Sequence, residues 1–382
     1  MRTSDAIPRS HSSKLLGVQY LRAVAAIMVA YLHLQTQIPS YQPLLGHHGF
    51  FDTDRLAAGV DIFFVISGFI MLVTSRHTSP TTFALRRIVR IVPLYWIMTL
   101  LLAAVAILNP QGVRTTVLTG TYLLKSLLFI PYANPGDAGQ LAPLLIPGWT
   151  LNFEMYFYAL FALVLFAPER QRVWLNGSVF AAILCVPRIV PHAADSVFVQ
   201  FYANMRILEF WVGMLIGSFY LKGYLRLPRL VSWTLLLAGF AGLMVSNAAM
   251  SGLRSHWAIF GLNSLLPAGS IVLSVVALEQ VGAVRQHALA ALLGDASYSI
   301  YLTHVFSLHL ARVMWRKLIV ASSSGLESIA FAAATTFFAL LFAAATYKLV
   351  EKPMLDLLHN ATRTRRNRQT AAEVAPTAPA GS

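Results

Sequence analysis

Cysteine is nearly absent from this chain: Cys185 is the only one in 382 residues. A single thiol excludes an intramolecular disulfide and any zinc site built on several cysteines. Cys185 lies in an apolar stretch, where a small packing role is expected. Charge is scarce too. Asp, Glu, Lys and Arg make up 12% of the residues, against about 25% in soluble domains. Acidic side chains are the scarcer kind, 15 against 29 basic, for a net charge of +14. The motifs GxxxxGK[ST], HExxH, CxxC and GxSxG are missing, which removes support for phosphate-loop nucleotide hydrolysis, zinc chemistry and an elbow serine. No resident metal is expected.

What fills the chain instead is apolar, 57% of it. Run after run approaches the roughly 20 apolar residues that span a bilayer. Segments are expected at 15–35, 59–75, 91–109, 116–132, 149–167, 174–190, 200–221, 230–248, 258–279, 289–313 and 326–349. The 116–132 segment is short and carries Lys125, so it reads as an outer-surface or re-entrant helix. That leaves about ten crossings in an all-α integral membrane protein with both termini cytoplasmic. On this topology 19 basic residues fall inside and 8 outside, with Arg22 and Arg206 in the membrane. Such a bias is the positive-inside pattern, and it accounts for the high pI without nucleic acid. The outer patch Arg312, Arg316 and Lys317 has no account. Residues 1–14 read as a cytoplasmic tail, 15–354 as one transmembrane domain, and 355–382 as a basic then disordered tail near anionic lipid. The first segment does not read as a cleaved signal, since it contains Arg22 and lacks a small-x-small site.

Ionisable residues inside these segments are the candidates for chemistry, because charge in a bilayer is costly. Arg22 and His33 are about three helical turns apart, on one stripe and separated by about 16 Å of rise. The same topology puts Asp61, Trp149, Glu154, Arg206, Tyr301 and His304 in roughly the same layer as His33. Each has a plainer reading. His33 and His304 suit interhelical hydrogen bonding. Asp61 suits a helix N-terminus, and Arg206 suits a brace with Glu209. Arg87 and Arg90 share a helix face at the inner mouth. They either set topology or capture a multiply phosphorylated ligand, which the planar guanidinium binds bidentately. A proton-coupled transporter or exporter of glycan competes with an enzyme at this point. Broken helices and paired repeats would favour it.

The motifs resemble those of the membrane-bound acyltransferase 3 family over about Leu15 to Pro353. They are Arg22 with His33, Gly59-Val-Asp-Ile-Phe-Phe-Val-Ile-Ser-Gly68, Arg87 with Arg90, and Trp149-Thr-Leu-Asn-Phe-Glu154-Met-Tyr-Phe-Tyr158. Arg206-Ile-Leu-Glu-Phe-Trp-Val-Gly213, Ser297-Tyr-Ser-Ile-Tyr-Leu-Thr-His304 and Glu351-Lys-Pro353 follow. Thr150 stands where members often have serine. The resemblance implies O-acyl transfer, commonly acetyl, from cytosolic acyl-CoA to a hydroxyl of an extracytoplasmic or membrane-associated glycan. In form the chain looks most like the exopolysaccharide O-acetyltransferases of the inner (plasma) membrane. Acetyl-CoA or another acyl-CoA is then the donor substrate rather than a bound cofactor. The lipid bilayer and a glycan acceptor are the further partners. On this reading Arg22, Arg87 and Arg90 hold the donor, and His33 is general base or nucleophile. Asp61 or Glu154 orients it. Trp149, Arg206, Tyr301 and His304 meet the acceptor or the oxyanion.

Overall fold

The computed structural model describes residues 15–35, 53–109, 117–248, 257–318 and 325–358. The tail 1–14, the last 24 residues of the other tail, and Arg114 and Arg254 lie outside these. The helices are α1 (Leu16–Gln35), α2 (Gly59–Thr74), α3 (Pro80–Leu108), α4 (Gly120–Leu127), α5 (Trp149–Val164), α6 (Glu169–Ile189), α7 (Val197–Tyr202), α8 (Ile207–Leu221), α9 (Arg229–Ala248), α10 (Trp257–Gln280), α11 (Ala288–Asp295), α12 (Ser297–Leu318) and α13 (Gly325–Thr346). A π-helical turn, Tyr347–Glu351, continues α13. Among the described residues, five helices are long and apolar enough to cross a bilayer: α1, α2, α3, α6, and α13 with its extension. The helices α8 and α9 are apolar but shorter. Outward faces carry Leu108, Leu163, Trp174 and Phe337, as lipid-facing surfaces do. Cys185, expected to pack inside, sits on an exposed face of α6.

The structure differs from the sequence expectation at four places, three of them with a local cause. The all-α expectation misses a two-stranded antiparallel hairpin, β1 (Ala133–Asn134) and β2 (Asp137–Leu141). The Asn134 side chain accepts from the Gly136 amide at 2.9 Å. That bond folds Asn-Pro-Gly-Asp into a tight turn. Helix α3 begins eleven residues before the expected 91, because Ser79 caps it, accepting from the Thr82 amide at 3.3 Å, with Pro80 at the first position. Arg87 and Arg90, expected on one helix face before the span, therefore sit within the same continuous helix as the span itself. The expected 200–221 segment breaks at Ala203–Arg206, where Asn204 accepts from the Arg206 amide at 3.1 Å in place of helical bonding. The 289–313 segment is divided at Ala296 into α11 and α12.

The bundle centres on α2, which packs along α8 and also against α1, α5 and α10. Gly68 and Gly213 allow the closest contact. A Cβ on Gly68 would lie 1.9 Å from the Phe210 carbonyl oxygen, and one on Gly213 would lie 2.0 Å from that of Val65. Small residues that let two backbones touch are the usual glue between membrane helices. On the other side α1 contacts α11 and α12. Its first amide groups, at Leu16 and Gly17, donate to the Glu279 carboxylate of α10, at 2.5 and 3.0 Å. These contacts hold α1, the helix carrying Arg22 and His33, between two halves of the bundle.

Candidate active site

The first part of the site is a chamber of about 120 Å³ between α1, α2, α3, α5 and α12. Three guanidinium groups face it, from Arg22, Arg87 and Arg90. Each is held differently. Arg90 forms an ion pair with Glu351, which is fully buried on the π-helical turn, and its guanidinium lies 5.5 Å from the Tyr298 ring centroid. The Ser299 hydroxyl donates to the other Glu351 oxygen at 2.5 Å. Arg87 donates to Thr74 Oγ1 at 3.1 Å and lies between the rings of Phe83 and Tyr158, at 5.3 and 5.5 Å. Arg22 lies within electrostatic reach of Arg90, Glu154 and Glu351. Glu154 also lines the chamber. It accepts from Ser67 at 3.1 Å and from the Tyr158 hydroxyl one helical turn along. Three arginines against two carboxylates leave one positive charge in excess, between packed helices where charge acts more strongly than in bulk water.

A second cluster lies where three helices begin. Asp61 is in the first turn of α2, Trp149 opens α5, and Arg206 caps the start of α8. Arg206 Nη1 is 3.7 Å from Asp61 Oδ1, and its guanidinium lies 4.9 Å from the Trp149 ring centroid. Asp61 further touches Glu209 and Ser264. Here the balance is reversed, with two carboxylates and one arginine. The converging helix N-termini add partial positive charge at the same point.

The two histidines form a third element. The rings of His33 and His304 lie 4.9 Å apart, tilted by 50°. His33 Nδ1 is 2.9 Å from the Val29 carbonyl, and His304 Nδ1 is 2.6 Å from that of Tyr301. A carbonyl only accepts, so in each neutral ring Nδ1 carries the proton and Nε2 the lone pair. Neither histidine lines the arginine chamber. Tyr301 does, and its ring is 6.0 Å from His304.

The structure thus gathers Arg22, Arg87, Arg90, Glu154 and Tyr301 around one space, Asp61, Trp149 and Arg206 around another, and His33 with His304 beside them. Asp61 and Glu154, both expected to orient His33, are engaged with Arg206 and with Ser67 and Tyr158. The Val29 carbonyl bonds the His33 ring instead. The Tyr301 hydroxyl contacts Thr150 at 2.8 Å and the Pro147 carbonyl at 3.0 Å, which commits its proton to the local frame. Ser67, Tyr158, Tyr298 and Glu351 lie within the motifs read from the sequence, but sequence reasoning gave them no role and missed the pairing of Glu351 with Arg90. Of these, only Tyr158, four residues after Glu154 on one helix, had a local signal.

Comparison with known proteins follows this geometry closely. The acyltransferase 3 profile, described as an acyltransferase domain, matches residues 15–348. The chain is 40% identical over 311 residues to the exopolysaccharide production protein ExoZ of Rhizobium meliloti (strain 1021), covering 78% of this chain and 89% of that protein. It is 28% identical over 370 residues to the acyltransferase MdmB of Streptomyces mycarofaciens, covering 90% and 92%. No solved structure matches the chain. A profile that takes in every element from α1 to α13 leaves one conclusion: the chain belongs to the acyltransferase 3 family and is a membrane O-acyltransferase.

Proposed function

We propose that this protein moves an acyl group, acetyl in the first instance, from cytosolic acyl-CoA to a hydroxyl of a cell-envelope glycan such as exopolysaccharide. In this reading it sits in the inner membrane with ten crossings and both termini cytoplasmic. The observation that carries the donor assignment is the arginine chamber. Its excess positive charge and planar guanidinium groups suit the phosphates of coenzyme A. The similarity to a protein of exopolysaccharide production supports the acceptor class. Glycan transport, the other reading of intramembrane charge, gives way to the family membership. The break between α7 and α8 instead places Arg206 over Trp149.

The reaction follows from the proton positions. His33 Nε2 takes the proton of the acceptor hydroxyl. The freed oxygen attacks the thioester carbonyl carbon, and the carbonyl oxygen takes up negative charge beside Arg206 and the helix N-termini. The carbon–sulfur bond then breaks, and the coenzyme A thiolate takes the proton from His33. Charge balances at each step.

The test is CoA release from acetyl-CoA by the purified protein in lipid nanodiscs, with and without de-O-acetylated host exopolysaccharide. Glycan-dependent release is expected, and His33→Ala should lower it by about 10²–10⁴-fold while thermal unfolding is unchanged. Full release from a folded His33→Ala protein would remove His33 from the reaction. No release from the wild type with either acetyl-CoA or succinyl-CoA would remove the donor assignment.

A further inference from the structure

A second cavity, of about 240 Å³, lies on the far side of Trp149 from the arginine chamber. Its walls come from the β2 strand, the start of α5, and the α7–α8 break. Trp149 links the two spaces through one contact. Its ring lines the second cavity and packs edge-on, at 6.4 Å, against Phe64, which lines the first. Thr150, the next residue, also lines the first.

The chemistry of the second cavity differs from that of the first. Aromatic rings, Trp149, Phe153 and Phe201, meet amide side chains, Gln140, Gln200 and Asn204. Among the described residues, Arg206 is the only charged side chain that lines it, and its charge is already opposed by Asp61 at 3.7 Å. Such a wall offers no net charge to an anion. An aromatic wall, in which Phe153 and Phe201 stack on each other at 4.5 Å, beside amides that both donate and accept matches a sugar ring, which has apolar C–H faces and an equatorial belt of hydroxyls. Gln200 Nε2 donates to the Ala194 carbonyl at 2.9 Å. That bond fixes the amide while leaving its oxygen and second N–H for a ligand. Gln140 projects from the hairpin that the Asn134 turn creates.

We infer that this cavity is the acceptor subsite, taking one uncharged pyranose unit of the glycan. Gln140 and Gln200 select the sugar, and Trp149 stands between it and the donor chamber. The inference rests on the acyl-transfer reading above and adds where the acceptor binds and of what class it is. It also gives the β hairpin a purpose, since removing it would open one wall.

The experiment uses the full-length protein in nanodiscs, radiolabelled acetyl-CoA, and oligosaccharides from de-O-acetylated host exopolysaccharide. Gln140→Ala and Gln200→Ala should each raise KM for the oligosaccharide by about tenfold, the loss of one ordinary hydrogen bond. The double variant should raise it by more than either single one, with KM for acetyl-CoA unchanged throughout. An unmoved oligosaccharide KM in the double variant would overturn the assignment, as would equal rises for both substrates. Label passing to lipid or water, and not to oligosaccharide, would overturn it while leaving the acyl-CoA reading intact. No CoA release from the wild type under any condition would overturn both.

Discussion

The two clusters of buried charge in this bundle are built in opposite ways. In the arginine chamber both carboxylates are hydrogen-bonded: Glu351 through both oxygens, to Arg90 and Ser299, and Glu154 through Oε1, to Ser67 and Tyr158. Around Arg206 the network is incomplete. Asp61 Oδ1 and Arg206 Nη1 face each other at 3.7 Å, and neither has a hydrogen-bond partner among the described residues. A completed network rigidifies its surroundings, and an incomplete one in a buried site is costly unless it serves something else. The chamber therefore reads as a fixed frame that presents its surplus arginine charge to a donor. The Arg206 cluster holds donors and acceptors in reserve for groups that change charge during the reaction.

The comparison can be broken most forcefully at Glu351. Glu351→Ala leaves Arg90 buried without its partner, and breaking such a pair costs about 3–5 kcal/mol. Denaturation in detergent should show that loss. A double variant that also replaces Arg90 with methionine should recover much of it, because two apolar side chains need no partners. A Glu351→Ala protein as stable as the wild type would show that the chamber is not a frame.

Arg206 should behave the other way. Arg206→Met leaves two acids that are able to take up a proton, so stability should fall less than in Glu351→Ala. Turnover should fall by about 10²–10³-fold, the usual effect of losing an oxyanion donor. A large stability loss with intact turnover would make Arg206 a structural brace and erase the contrast.

The smallest effect is expected at Arg87, whose guanidinium meets a hydroxyl and two rings, of Thr74, Phe83 and Tyr158, rather than a carboxylate. Arg87→Ala should raise KM for acetyl-CoA by about tenfold, as the loss of a charge-assisted hydrogen bond does, with kcat and fold unchanged. A fall in kcat at saturating acetyl-CoA would move Arg87 from donor binding to chemistry.

Local pattern made much of this readable before any coordinates. Apolar runs marked most helices, and the eleven-residue spacing put Arg22 and His33 on one stripe of α1. Three residues between Arg87 and Arg90 put them on one face of α3. The early start of α3 was also local, written in Ser79 and Pro80, and was overlooked because the apolar run begins later than the helix. The turn at Asn134 was legible in the same way. The partners of the charges were not. Glu351 reaches Arg90 across 261 residues, and no spacing rule connects them. Asp61 and Glu154 both appeared ready to serve His33, yet they are drawn to opposite clusters.

The sequence by itself determined the family, the membrane-helix character and the list of ionisable residues on those helices. Helix formation and burial in lipid depend on neighbours a few residues away. Only the tertiary structure decided which charge meets which. The packing of α2 on α8 through Gly68 and Gly213 sets Asp61 against Arg206. The π-helical turn at the end of α13 directs Glu351 to Arg90. An ion pair is specified by the three-dimensional approach of two side chains, and that approach is fixed by helix packing far from either residue in the chain.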